Sequence, residues 1–207
     1  MRWRNLPLLA LAMAPWIMTT SFVPLGHETV AQNDGNPDTD SLSLTLSTDK
    51  QTYNLSEPIQ FTVALSNASS NGIWVGNTLV FADVPGSFVM TVTDAQGKPI
   101  HGDMVFVAGV GPDFRHADLY TWIRQTRLVL CPGCFLGMTA KLQDYKYDLT
   151  APGKYRLQIS YSDIGYKEIQ EEGASANKVK KAKQQAIFPL WSGSIKSSEV
   201  WIEVVRK

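Results

Sequence analysis

From Pro152-Gly153, a turn signal, the chain enters a run in which Tyr155, Leu157, Ile159 and Tyr161 alternate with Arg156, Gln158 and Ser160. Side chains of a strand point to opposite faces in turn, so the alternation predicts a half-buried strand over 151–161. The same pattern recurs with Leu42, Leu44 and Leu46 among Ser and Thr, and with Ile59, Phe61, Val63 and Leu65 against Gln60, Thr62, Ala64 and Ser66. Near the C-terminus Val200, Ile202 and Val204 face away from Trp201 and Glu203, which predicts a closing strand. Further strands are expected at 73–75, 88–94, 104–108, 127–130 and 138–142. Residues 53–58, 67–72, 95–99 and 109–114 carry the Gly, Pro, Asn and Ser of turns and links, and 118–125 fits either helix or strand. No long, strongly amphipathic helix separates the strands, so the expected class is all-β, an antiparallel sandwich of about seven to nine strands rather than a parallel sheet.

One segment breaks the alternation. Over 168–186, Glu168, Glu171 and Glu172 come first and Lys178, Lys180, Lys181 and Lys183 follow. Acids early and bases late suit a helix macrodipole. Ile169, Ala176, Val179, Ala182 and Ala186 form a thin apolar stripe, and Gly173 weakens the first half, so a helix is expected over 174–185. It is a short helical insertion before the last strand.

The 207 residues carry 19 Lys and Arg against 19 Asp and Glu, so no basic field is available to draw in nucleic acid. Arg2 and Arg4 precede an apolar run over 6–18, too short for a comfortable membrane span, and Thr29-Val30-Ala31 offers a cleavage point. Residues 1–31 therefore read as an export signal, with an earlier cut near Ser21 or an uncleaved anchor as the alternatives. Residues 32–40 read as a flexible lead-in and 41–207 as one domain. The expected location is secreted or periplasmic, with contact to a membrane only through the signal segment before cleavage.

Tyr155, two residues after a turn glycine and entering a long strand, resembles the tyrosine corner of immunoglobulin-like sandwiches. Trp74 stands about where such domains place the tryptophan of strand C, and is expected to pin the core. Tyr53, then Glu57-Pro58-Ile59, then Asn67 is similar to the order in macroglobulin-type modules of secreted bacterial proteins. The run 89–94, Gly97, Tyr147-Asp148-Leu149 and Pro152-Gly153-Lys154-Tyr155 resembles the β-domains that precede some secreted metallopeptidase units. The bacterial intracellular proteinase inhibitor family has a comparable small sandwich. These likenesses cover about 42–205 and imply an immunoglobulin-like antiparallel β-sandwich whose insertion lies at an end where binding loops cluster. The chain departs from antibody domains in having Val63 and Leu157 where an inter-sheet cysteine pair would stand, and the metallopeptidase activity is not carried over.

The sharpest local motif is Cys131-Pro132-Gly133-Cys134. Pro then Gly at the centre of four residues is a type II turn, which brings its ends within disulfide reach. Export implies an oxidising compartment, so a disulfide is expected, rigidifying a loop tip. The rival is a thiol–disulfide exchange centre, which wants the first thiol at a helix N-terminus; residues 135–142 are poor helix material. A zinc site using both cysteines with His101 and His116 is a second rival, set back by histidines on unlike segments. The pairs His101/Asp103 and His116/Asp118 fall in loop-like stretches, and no HExxH, GxSxG or phosphate-binding loop is present.

Lys178, Lys180, Lys181 and Lys183 are the candidate partner-binding residues, against the alternative of a solvated helix face. Asn54-Leu55-Ser56 and Asn67-Ala68-Ser69 fit the glycosylation acceptor pattern and turn composition alike. The expected function is a binding or structural module that contacts a protein or envelope component through end loops, with no catalysis, cofactor or metal. A proteinase inhibitor presenting a loop and a thiol–disulfide oxidoreductase are the alternatives.

Overall fold

The computed structural model describes residues 41–77, 81, 85–102, 113–147 and 149–206. The export segment, the lead-in, the strand expected over 104–108, most of the 109–114 loop, Asp103 and Asp148 lie outside the described residues. Along the chain the elements are β1 (Leu42–Thr48), β2 (Thr52–Asn54), β3 (Gln60–Asn67), β4 (Ile73–Gly76), β5 (Ser87–Asp94) and β6 (Pro99–Ile100), then α1 (Leu119–Thr126), β7 (Arg127–Leu130), β8 (Phe135–Lys141) and β9 (Gly153–Asp163). They end with α2 (Tyr166–Glu171), α3 (Ala176–Gln185), β10 (Gly193–Lys196) and β11 (Val200–Val205). The chain is predominantly β, and no described helix is long and apolar enough to cross a membrane.

Alternation decides which side chains meet. On β3 Phe61, Val63 and Leu65 are buried, and on β9 Tyr155, Leu157, Ile159 and Tyr161. The two apolar faces belong to different sheets. One runs β1-β3-β8; the other runs β2-β11-β9-β5-β6, with β10 also on β9. Among the described strands the pairings are antiparallel except β2 against β11, which is parallel. Tyr155 sits buried at the start of β9, and its hydroxyl donates to the carbonyl of Ala151 at 2.7 Å, tying the strand to the turn that precedes it.

Several expectations need correction. The strand expected at 73–75 is present as β4, paired with β7, and β5 lies beside β9. Trp74 does not pin the main core. Ile73 and Val75 point into it, so Trp74 must point the other way, and it packs half-buried on a second apolar cluster. The tryptophan buried in the main core is Trp191, whose ring centroid lies 5.5 Å from that of Tyr161. Residues 53–54 belong to β2 rather than to a link, and Tyr53 is buried, its hydroxyl donating to Asp49 at 2.6 Å. The strand expected over 138–142 begins at Phe135, and Leu142 opens a short 3-10 turn.

The closing strand also starts earlier than its pattern suggests. β10 continues the edge that β11 makes on β9, pairing with residues 160–163 while β11 pairs with 153–157. Ser197 stitches the break. Its amide donates to Ile159 O at 2.8 Å, and its hydroxyl accepts from Ile159 N at 3.1 Å. The insertion between β9 and β10 holds two helices, not one, and Gly173 separates them at φ +114, a conformation that glycine tolerates. Of the expected apolar stripe, Ile169, Val179 and Ala182 are buried; Ala176 is exposed and Ala174 is buried in its stead.

Candidate functional site

The described helices gather beside the sheets. The ambiguous 118–125 stretch is α1, where the Asp118 carboxylate accepts from Thr121 N at 3.1 Å and caps the helix. Phe114, Leu119 and Ile123 pack with Ile169, Val179 and Ala182 into an apolar cluster separate from the main core. The three helices thus form a cap with its own interior. The β4–β7 ribbon lies between the two cores, with Ile73, Val75 and Leu130 in the lower one and Trp74 against the upper one.

A buried polar knot fastens the ribbon to β9. Arg127 Nη2 donates to Asp163 Oδ1 at 2.8 Å, and both side chains are almost wholly enclosed. Asp163 also accepts from Ile164 N at 2.8 Å, from Gly76 N at 2.9 Å and from the Tyr161 hydroxyl at 3.2 Å. The guanidinium lies 4.7 Å from the Trp122 ring of α1, so the same group touches the cap. Burial pushes the Asp163 carboxyl up, against the pull of Arg127 and of these donors. Burial pushes the Tyr161 phenol up as well, and the Asp163 charge adds to it. Gly76 and Gly86 are required where they stand, because a Cβ on Gly76 would sit 2.4 Å from Gly86 Cα. The sequence reading missed this knot. Its signal was present in the parity of β9, since Asp163 falls on the inward set 155, 157, 159, 161.

At the other end of the ribbon lies the cysteine motif. Cys131 and Cys134 stand at disulfide distance across a turn, with Cα atoms 5.1 Å apart and Cys134 N bonded to Cys131 O at 2.9 Å. Gly133 has φ +70, as the third residue of a type II turn requires. The pair joins two strands, β7 and β8, so neither thiol stands at a helix N-terminus. Asn67 holds the turn in place: its carbonyl accepts from Gly133 N at 3.0 Å, its amide donates to Cys134 O at 2.9 Å, and its side-chain nitrogen donates to Leu130 O at 2.8 Å. Asn67 is therefore buried, and both polar atoms of its side chain are bonded. Asn54 is engaged too, donating to Glu57 at 3.2 Å.

The four lysines divide into two kinds. Lys178 donates to the carbonyls of Arg115 and Ala117 at 2.6 and 3.2 Å, bracing α3 against the approach to α1. Lys183 lies 5.1 Å over the Tyr166 ring. Lys180 and Lys181 are exposed on α3. Their helix packs against α1, which runs straight into β7 and on to the cysteine turn. His116 is exposed beside Asp113, and its expected partner Asp118 is occupied as a helix cap. His101 is exposed after β6. Among the described residues, no three His, Cys, Asp or Glu side chains gather where they could hold a metal.

Large exposed apolar side chains follow both the cysteine turn and α3. Phe135, directly after Cys134, is 71% exposed, and Ile187, directly after α3, is 85% exposed. The neighbouring Phe188 reaches over Gly72 and Val129 on the ribbon. No family model matches the chain, and no curated protein matches it.

Proposed function

We propose that this is a secreted or periplasmic module without catalysis, which contacts a protein or envelope component through the end that bears the helical cap and the cysteine turn. The reading rests above all on exposure: two of the three strongly exposed large apolar residues among those described, Phe135 and Ile187, directly follow the cysteine turn and α3. Burying such side chains against a partner removes apolar area from water, which is favourable. The tight turn at Cys131 and Cys134, pinned by Asn67, supports a rigid tip rather than a thiol-exchange centre.

For the fold we propose an immunoglobulin-like sandwich. Three features favour it: the corner bond from Tyr155 to Ala151, the parallel pairing of the early strand β2 with the last strand β11, and β9 flanked by β5 on one side and β11 on the other. On this reading β5, not β4, is the strand C equivalent, and the β4–β7 ribbon with its cap is an addition.

The test compares recovery of partners from envelope extract by the full chain, by Phe135→Asp with Ile187→Asp, and by a variant at the opposite end, Gln96→Asp. All three positions are exposed, so the fold tolerates them. The cap-end variant is expected to lose partners that the other two retain. Equal recovery by all three would overturn the reading. Deleting 168–186 is the poorer experiment, because it unroofs Leu119 and Ile123.

A further inference from the structure

The charges of α3 break a local rule. The helix contains Lys178, Lys180, Lys181 and Lys183 and no acidic residue. Lys178 with Lys181, and Lys180 with Lys183, are like charges at i,i+3, which repel across one helix face. The macrodipole accounts for Lys183 in the last turn, and carbonyl contacts account for Lys178. Neither accounts for Lys180. Of the acids around the helix, Asp118 shares a hollow with Lys178 and Lys181, Glu168 accepts from Gly165 N at 2.9 Å, and Glu171 faces Lys167. Departures from local rules concentrate at functional or strained sites.

Beside these lysines runs a shallow groove of about 440 Å³ between α2 and α3, lined by Gln170, Ala176, Val179, Lys180, Lys183 and Gln184. Its lining carries two ammonium groups, two carboxamides and the methyl group of the exposed Ala176. Lys183 is steadied by the Tyr166 ring beneath it. We propose that this groove docks an acidic, extended peptide segment of a partner protein, with Lys180 and Lys183 meeting its carboxylates and Gln170 and Gln184 its backbone amides. The inference rests on the binding-module reading above and names the chemistry of the partner. Charge complementarity selects the acidic segment. A lipid surface fits less well, because an interfacial helix needs its apolar face free, and α3 spends Val179 and Ala182 on the cap interior.

The experiment measures fluorescence anisotropy of a labelled Glu/Asp-rich peptide with interspersed Leu, on the full chain at low and high salt. Wild type is expected to bind at low salt and to weaken as salt rises. Lys180→Glu with Lys183→Glu is expected to lose at least about tenfold in affinity, and the milder Lys180→Gln with Lys183→Gln to lose less. Reversing two exposed lysines of the sandwich, Lys154→Glu with Lys196→Glu, leaves binding unchanged. No binding by wild type, equal loss in the sandwich control, or preference for phosphatidylglycerol vesicles over the peptide would each overturn the proposal. If the peptide fails while Phe135→Asp with Ile187→Asp still loses the extract partners, the binding end stands and this groove falls.

Discussion

The Arg127 guanidinium and the Asp163 carboxylate meet at 2.8 Å in the interior, 36 residues apart in the chain. The contact joins the first residue of β7 to the last of β9, and so fastens the ribbon under the cap to the central strand of the sandwich. Breaking a buried pair from one side leaves a charge with no partner.

Arg127→Met is therefore expected to lose about 3–5 kcal/mol of unfolding free energy. Arg127→Met with Asp163→Asn removes the stranded charge and keeps an acceptor for Gly76 N and Tyr161, so it costs less than the single change. Denaturant titration of the three proteins checks this; a double variant no more stable than Arg127→Met would show that the two groups are not coupled.

Gly76→Ala tests the close approach behind that pair. The new Cβ would stand 2.4 Å from Gly86 Cα, and a backbone atom cannot swing aside as a side chain can. The expected cost is at least about 1–3 kcal/mol. Gly153→Ala meets no atom within 4 Å and is expected to fall within about 0.5 kcal/mol of wild type. Comparable melting temperatures for the two would contradict the packing.

The buried phenols set an alkaline limit. Burial pushes Tyr53, Tyr147 and Tyr161 up, while an unfolded tyrosine titrates near ~10. Above that pH the unfolded chain loses protons that the folded chain keeps. Stability is therefore complete below about pH 10 and falls as pH rises toward the folded values. Tyrosinate absorbance of these three is expected to appear together with unfolding. Their independent titration near pH 10 in a folded protein would count against the burial.

Removing the cysteine pair is expected to do little. The loop it closes is only three residues long, so the chain-entropy estimate is about 2 kcal/mol, and the Asn67 bonds hold the turn in its absence. Cys131→Ser with Cys134→Ser is expected to melt a few degrees lower and to keep its β circular dichroism. Loss of the fold would mean that the pair holds far more than a loop tip.

The strands at 42–48, 60–67, 87–94, 153–163 and 200–205 were legible because alternation is a property of one strand with one wet face. β10 was not, since Gly193 to Lys196 hold one buried apolar residue, Ile195, and the strand exists through its pairing with β9. α2 buries only Ile169 in six residues, too little for a helical period to be visible. The candidate site was half legible. Charge density singled out the α3 lysines, but the carbonyls that occupy Lys178 come from residues 115 and 117, more than 60 positions away.

By itself the sequence determined the β class, the inward and outward faces of the long strands, the turn at Cys131 to Cys134 and the basic helix near its proper place, because each depends on neighbours a few residues apart. Only the tertiary structure decided that Trp191 rather than Trp74 fills the main core, that β5 rather than β4 flanks β9, and that Asp163 finds Arg127. Those outcomes depend on which apolar faces stack and which distant charges can be brought out of water together, and no local pattern encodes that choice.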